Sequence, residues 1–147
     1  MGTDDGRVWI TRDLGATWTT VLSGQPWVTR VAVDPARAST VYVTLSGYRS
    51  GSNQPHVLVS RNFGASWTDL SGNLPQAPVN DIIVARFGLL YVATDQGVFV
   101  TFAGLNHWLR LGRDLPLVPV DDLEYDPSHN RLVAATFGRG IYQLRAV

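Results

Sequence analysis

The sequence contains no cysteine, which excludes a disulfide framework, a thiolate metal site and a cysteine nucleophile. It also lacks an excess of either charge: 12 basic residues balance 12 acidic ones, and the isoelectric point is about 6.8. This balance gives no electrostatic reason to expect nucleic acid or an anionic membrane as a partner. No apolar run is long enough to cross a bilayer. The composition therefore predicts no nucleic-acid and no membrane partner, and it indicates no metal and no cofactor.

What the chain does contain is typical of a globular domain. Of its 147 residues, 45% are hydrophobic and 16% are charged, which is enough for one domain with a substantial core. Short segments rich in Val, Ile, Tyr, Phe and Trp are interrupted every few residues by Gly, Asp, Asn or Pro, as in β-strands joined by turns. No segment shows helical periodicity with caps. The sequence predicts an all-β fold.

One eight-residue motif recurs along the chain. TRDLGATW at 11–18 reappears as SRNFGASW at 60–67 and, without the Asp and the Gly, as TFAGLNHW at 101–108. Other segments recur in the same cyclic order, among them LPQAPVNDIIV at 74–84 and LPLVPVDDLEY at 115–125. The three copies of the motif begin 49 and 41 residues apart. Repeats of this length with four short strands each are typical of β-propeller blades. We therefore expect a partial β-propeller of about three four-stranded antiparallel blades.

The repeat divides this propeller segment into four units. The first unit begins inside a blade and supplies two strands, and the last unit lacks its fourth strand. Because a propeller ring needs at least four blades, such a chain cannot close a ring alone. This predicts either the remainder of a longer propeller or a homo-oligomer in which exposed strand edges pair between copies. The predicted units are 1–24, 25–73, 74–114 and 115–147.

Each motif residue has a structural reason to stand in a turn. Asp13 or Asn62 can accept hydrogen bonds from the N–H groups of the turn, and glycine suits a position with positive φ. The indole of the final tryptophan can bury a large area against a neighbouring layer. A single carboxylate among three copies is a poor calcium shell, so we interpret the motif as a brace and not as a calcium or sugar site. The residues predicted to form these braces are Thr11, Asp13, Gly15, Trp18, Ser60, Asn62, Gly64, Trp67, Thr101 and Trp108.

The pattern Ser/Thr-x-Asp-x-Gly-x-Thr/Ser-Trp resembles the Asp-box, or BNR repeat, of sialidases, sortilin-type receptors, xyloglucan-degrading glycosidases and the photosystem II assembly propeller. The ending RLVAATFGRGIYQL at 131–144 resembles the last blade of such proteins, which implies the C-terminal portion of a propeller. The resemblance further implies that the box lies at the periphery of the blade, and it favours an extracellular or periplasmic location. It implies no single activity, because these families share the box and not the chemistry.

Three carboxylates are the candidates for catalysis. Asp81 and Asp122 occupy equivalent positions near the start of a strand, where Arg30 stands in the preceding unit. Side-chain alternation places Glu124 on the same face as Asp122. Two such groups could act as the acid and the base of glycoside hydrolysis. The alternative, which we favour, is that the aspartates bond backbone groups or arginines of neighbouring blades.

The remaining sequence features do not complete a catalytic site. The arginines are scattered along the chain, and no sialidase-like arginine cluster maps onto them. The longest insertion in the repeat, SGYRSGSNQPH at 46–56, is the kind of loop that often carries recognition, although it could equally be a surface loop with no partner. Its candidate residues for binding a glycan or a protein are Tyr48, Arg49, Asn53 and Gln54.

Three functions remain open on this basis. The favoured one is a non-catalytic propeller module that serves as a scaffold or as a binding surface for a glycan or a protein within a larger extracellular protein. The first alternative is a fragment of a sialidase-like or xyloglucanase-like glycoside hydrolase. The second is a partial propeller that assembles with further copies into a closed ring. The absence of a recognisable acid–base pair favours the non-catalytic module over the glycoside hydrolase.

Overall fold

A computed structural model of the chain describes residues 1–48, 51–52, 54 and 56–147. Short strands joined by turns make up the described regular structure, apart from a three-residue 3-10 turn at Arg86–Gly88. The prediction of an all-β fold is therefore confirmed. The described strands are β1 (Val8–Ile10), β2 (Thr19–Leu22), β3 (Trp27–Asp34), β4 (Arg37–Ser46), β5 (His56–Ser60), β6 (Thr68–Asp69), β7 (Val79–Val84), β8 (Leu89–Thr94), β9 (Gly97–Phe102), β10 (Leu109–Leu111), β11 (Val120–Asp126), β12 (Arg131–Thr136) and β13 (Gly140–Arg145).

These strands form four antiparallel sheets, and each strand pairs with the one that follows it in its sheet. We call β1–β2 the half-blade, β3–β6 blade 1, β7–β10 blade 2 and β11–β13 blade 3. The second strands of blades 1 and 2, which are β4 and β8, are covered by neighbouring sheets on both faces. For that reason β8 reads LLYVAT with all six residues buried, and does not alternate between apolar and polar residues.

The core lies between successive sheets in three apolar clusters. The first joins the half-blade to blade 1, the second joins blade 1 to blade 2, and the third joins blade 2 to blade 3. Each sheet therefore buries its apolar face against its neighbours along the chain, and each blade depends on the next for its core. Representative buried members are Val8 and Val43 of the first cluster, Tyr42 and Ile82 of the second, and Tyr91 and Leu123 of the third.

A β-bulge recurs at the same place in the first strand of every blade. The register shifts between Val28 and Arg30 in β3, and the same shift occurs around Asn80 in β7 and Asp121 in β11. The extra residues are thus Thr29, Asn80 and Asp121. Because a bulge bends its strand and redirects the side chains beside it, Thr29 and Asn80 both point to the following blade, whereas Asp121 of blade 3 is exposed.

The antiparallel order separates the connections into two ends. The turns that join the first strand to the second, and those that join the third to the fourth, lie at one end of the blades, which we call the turn end. The connections between second and third strands, including the described residues of the insertion after Ser46, lie at the opposite end. Among the described residues, no helix is long and apolar enough to span a membrane.

Candidate functional site

Asp81 is the most buried carboxylate candidate, with 1% of its surface exposed. Its Oδ1 accepts the backbone N–H of Ile82 at 2.8 Å and lies 3.0 Å from Nε of Arg30 in blade 1. Its Oδ2 accepts the N–H of Leu123 in blade 3 at 2.9 Å. Burial raises the pKa of the Asp81 carboxyl, and the bond from Leu123 and the charge of Arg30 partly offset that rise. Both oxygens are occupied by contacts that tie three blades together.

The bulge residues add a second set of contacts between the same blades. The hydroxyl of Thr29 donates to the carbonyl of Val79 at 2.7 Å, which joins blade 1 to blade 2. One step along the repeat, the amide of Asn80 donates to the carbonyl of Val120 at 2.9 Å, which joins blade 2 to blade 3. Each blade thus bonds the first strand of the next one through equivalent side chains.

Asp122 and Glu124 differ from Asp81 in burial. Leu123 and Tyr125 face blade 2, so the two acidic residues that alternate with them lie on the outward face of blade 3, where both are exposed. Asp122 repeats the position of Asp81, and its charge acts to raise the pKa of the Asp81 carboxyl, yet its own carboxylate forms no hydrogen bond or ion pair with any residue that the structure describes. Asp81 thus lies between the blades, whereas Asp122 and Glu124 share an exposed face.

The first motif turn uses its carboxylate internally. Asp13 accepts the hydroxyl of Thr17 at 2.6 Å, the N–H of Thr17 at 2.8 Å and the hydroxyl of Thr11 at 2.8 Å. The hydroxyl of Thr11 in turn accepts the N–H of Gly15 at 2.8 Å. The hydroxyl of Thr17, followed by these other donors, lowers the pKa of Asp13 to about 2. The carboxylate is thereby committed to the turn itself.

The second motif turn repeats this geometry with a neutral side chain. Asn62 Oδ1 accepts the N–H of Ser66 and the hydroxyl of Ser60, both at 2.9 Å, and its Nδ2 donates to the hydroxyl of Ser66. Ser60 Oγ accepts the N–H of Gly64 at 2.8 Å. An amide carries the same bonds as a carboxylate here, so the turn geometry does not require a negative charge.

Both motif turns hold two consecutive residues at positive φ. The glycines Gly15 and Gly64 have φ values of 95° and 85°. The preceding residues, Leu14 and Phe63, also have positive φ, at 57° and 56°. The motif leaves that preceding position unspecified, so the sequence analysis did not anticipate a constrained backbone there.

The motif tryptophans differ in burial according to what lies before them. Trp108 is 2% exposed and donates its indole N–H to the carbonyl of Leu70 in blade 1 at 2.8 Å. Trp67 is half-buried and donates its indole N–H to the carbonyl of Val21 in the half-blade at 2.9 Å. Trp18 is 46% exposed and donates to Gly15 O in its own turn. A tryptophan therefore braces the preceding sheet where one exists, and the least typical copy of the motif carries the most buried indole.

The third copy is held by other bonds than the first two. Thr101 Oγ1 donates to the carbonyl of His107 at 2.6 Å. Asn73, in the connection between blades 1 and 2, binds both the N–H and the carbonyl of Trp108 through its side-chain amide. The loss of the Asp and the Gly from the motif is thus compensated by an asparagine outside it.

The loop candidates are only partly described. The side chain of Tyr48 is 75% exposed, and Gln54 is exposed as well. Arg49 and Asn53 lie outside the described residues. The described positions lie at the end opposite the turn end. Among the described residues, no group of three or more His, Asp or Glu side chains could hold a metal ion.

The structure contains a cavity that the sequence analysis did not predict. It has a volume of about 990 Å³ and lies at the turn end, between turns of blades 1, 2 and 3. Three arginines line it: Arg37, Arg61 and Arg86. In the sequence these residues belong to three different turns, two in blade 1 and one in blade 2, and share no spacing that marks them as a cluster. Only the packing of the blades brings them to one cavity.

Comparison with solved structures identifies similar folds. The chain matches a GH74 enzyme of Niastella koreensis with 15% identity and a TM-score of 0.69 over 98% of this chain and 21% of that one. It matches an ancestral GH74 enzyme with 17% identity and a TM-score of 0.73, covering 99% and 21%. It also matches PorZ, an essential surface component of the type-IX secretion system of Porphyromonas gingivalis, with 19% identity and a TM-score of 0.68, covering 97% and 23%.

These likenesses concern the fold alone, because the identities are low. The neighbours are propeller-type proteins, which confirms that the chain is a partial β-propeller. The chain spans about a fifth of the length of these solved structures. No family model matches the chain, and no curated protein matches it.

Proposed function

We propose that the chain is a non-catalytic β-propeller module that serves as a scaffold and binding surface within a larger protein. The observation that carries this proposal is the use of Asp81. This residue is 1% exposed, its two oxygens accept the N–H groups of Ile82 and Leu123, and it pairs with Arg30, so the carboxylate is out of reach of a glycosidic bond. The repeated carboxylate position thus acts as a strut between blades.

The scaffold role extends to the outward face of blade 3. Asp122 stands there in the position from which Asp81 binds the next blade, and Ile141 on the same face is 74% exposed. The contacts between blades 1, 2 and 3 supply the pattern for such docking, because each uses this carboxylate or its Arg30 equivalent. A further blade would cover Ile141 and donate a backbone N–H to Asp122.

The second candidate is a fragment of a glycoside hydrolase, which the likeness to two GH74 enzymes favours. In that case the exposed carboxylates Asp122 and Glu124 would supply one half of a site completed by another part of the protein. Hydrolysis of fluorogenic xyloglucan-oligosaccharide and sialoside substrates decides between the two when it is measured on the larger protein that contains this chain, because half a site does not turn over substrate alone. We expect no turnover. Turnover that Asp122→Asn abolishes, while Asp121→Asn leaves it intact, would establish the enzyme and exclude the scaffold.

A third possibility is that copies of the chain assemble into a closed ring, which would also be a scaffold role. The mass in solution, measured by light scattering across a range of concentrations, tests it. Self-assembly through the outward face predicts a defined oligomer that Ile141→Asp dissociates, because a buried charge without a partner opposes docking. A monomer at all concentrations would rule out ring closure by self-assembly.

A further inference from the structure

We propose that the cavity at the turn end binds a small anionic ligand, in which a carboxylate or sulfate group is carried on a ring. Arg37, Arg61 and Arg86 would hold the anionic group, and the ring would lie against Phe87. The proposal rests on the binding-surface function proposed above, since it identifies the place and the ligand class.

The first support is the balance of charge at the cavity. Its lining includes three guanidinium groups and one carboxylate, that of Asp34. Asp34 Oδ1 is already engaged, because it accepts the N–H of Ala36 at 2.8 Å within the turn. The site therefore carries an excess of positive charge that a single anionic group on a ligand would offset.

The three arginines are also without partners in the part of the chain that the structure describes. None of their guanidinium groups forms a hydrogen bond, an ion pair or a ring contact there, whereas Arg30 pairs with Asp81 and Arg110 donates to the carbonyl of Leu115 at 2.8 Å. A guanidinium group is a rigid planar fork that matches the geometry of a carboxylate or sulfate. Three such forks around one cavity are typical of anion recognition and not of a structural brace.

Two of these arginines, Arg37 and Arg61, act on the same buried residue. This residue is Tyr42, which lines the cavity and has 1% of its surface exposed. Burial and the charge of Asp34 raise the pKa of the Tyr42 hydroxyl, while the charges of Arg61 and Arg37 act in the opposite direction. Both guanidinium groups are thus close enough to act on the same phenol, although they belong to different turns of blade 1.

The second support is the backbone of Phe87. Its φ is 58° and its ψ is 21°, in the left-handed region that bulky residues rarely adopt. The ring gains no burial in return, since its residue is 92% exposed. The equivalent turn of blade 3 has Asn130 at φ 51°, which is a residue type suited to that conformation. Leu14 and Phe63 adopt the same conformation in the motif turns, but Phe87 lies at the cavity, so here the unusual backbone places an exposed aromatic ring beside the three arginines.

The size and the walls of the cavity define the ligand class. A volume of about 990 Å³ is at the upper end of the range for small-molecule sites. Apolar walls come from Val84 and Ala85 of blade 2 and from Tyr125 and Pro127 of blade 3. Apolar walls with a few convergent charges suit a ring that bears one anionic group. Because all three blades contribute, a bound ligand would also tie them together.

Isothermal titration calorimetry with matched probes tests the proposal. The probes are glucuronate and benzoate as ring-borne carboxylates, inorganic sulfate as a bare anion, and glucose and benzyl alcohol as neutral rings. We expect saturable binding of at least one carboxylate in the millimolar range or tighter, weaker binding of sulfate and none of the neutral rings. Comparison of glucuronate with benzoate distinguishes an acidic sugar from an aromatic acid.

Substitutions within the cavity and outside it separate site binding from general charge attraction. Arg37→Gln and Arg86→Gln should each weaken the carboxylate about tenfold or more, since each removes charge-assisted bonds. Arg139→Gln, in the β12–β13 turn at the opposite end, should leave the affinity unchanged. Phe87→Asn suits the left-handed backbone, so it should raise the midpoint of thermal unfolding while it weakens ring-borne anions more than sulfate.

Two results would overturn the inference. One is the absence of saturable binding of every anionic probe at millimolar concentration. The other is equal weakening by Arg86→Gln and Arg139→Gln, which would indicate attraction to net charge alone. Neither bears on whether the chain is an enzyme, because that question is decided by turnover of glycoside substrates and not by binding at the turn end.

Discussion

Arg30 of blade 1 and Asp81 of blade 2 form an ion pair across the contact between the two blades, with Nε 3.0 Å from Oδ1. The other oxygen of the same carboxylate reaches Leu123 of blade 3. Asp81 thus links three blades from the position that Arg30 occupies in blade 1 and Asp122 in blade 3. Each repeat therefore offers a matched control in another blade.

Asp81→Ala should destabilise the protein strongly, whereas Asp122→Ala should not. The first change leaves the buried N–H of Leu123 and the guanidinium of Arg30 without their acceptor, which corresponds to a loss of roughly 2–4 kcal/mol in the free energy of unfolding. The second removes an exposed side chain, with an effect within about 0.5 kcal/mol. Urea unfolding of the two variants measures the difference. Equal losses would contradict the strut role of Asp81.

The three motif tryptophans should form a graded series. Trp108→Ala removes an indole that is 2% exposed and should lower the free energy of unfolding by about 3–5 kcal/mol. Trp67→Ala should lower it by about 1–3 kcal/mol because that ring is half-buried. Trp18→Ala should have an effect below about 1 kcal/mol, since that ring is 46% exposed. If Trp18 proved as costly as Trp108, the indoles would not act by bracing the preceding sheet.

Gly64→Ala should be more damaging than Gly15→Ala, although both glycines have positive φ. An alanine at either site incurs a backbone penalty of about 1–2 kcal/mol. At position 64 the added Cβ would lie 2.6 Å from Cβ of Val21, so the half-blade must also move, which adds about 1–3 kcal/mol. At position 15 the nearest atom, in the ring of Trp18, is 3.9 Å away. Thermal unfolding of both variants gives the comparison, and similar midpoints would disprove the close approach.

The two motif turns should respond differently to acid. The pKa of Asp13 is lowered from 3.8 to about 2, so the stabilisation that its ionised form provides is present above pH 3.8 and is lost as the pH falls through about 2. Asn62 has no proton to gain. The amide resonance of Thr17 should therefore shift over this pH range, while that of Ser66 stays constant. Asp13→Asn should make the first turn as insensitive as the second, and a shift that persists in this variant would point to another group.

Much of the fold could be predicted from the sequence because its determinants are local. Strands of Val, Ile and Tyr between Gly, Asp and Asn turns are recognisable within a few residues, and the recurrence of the motif gave their grouping. The roles of the loop residues Tyr48, Arg49, Asn53 and Gln54 stay predictions. The location of the outward carboxylates Asp122 and Glu124 follows from strand alternation, but their partners do not.

The sequence by itself determined the all-β class, the repeated four-stranded unit and the polar chemistry of its turns. Only the tertiary structure decided which copy of a repeated residue has a partner: Asp81 is buried between blades while Asp122 is exposed, and Trp108 is covered while Trp18 is not. It also brought Arg37, Arg61 and Arg86 to one cavity. The physical reason is the distance along the chain over which each kind of interaction acts. Strand and turn preferences act over a few neighbouring residues, whereas burial, ion pairing and the gathering of charge depend on sheets that pack together from distant parts of the chain.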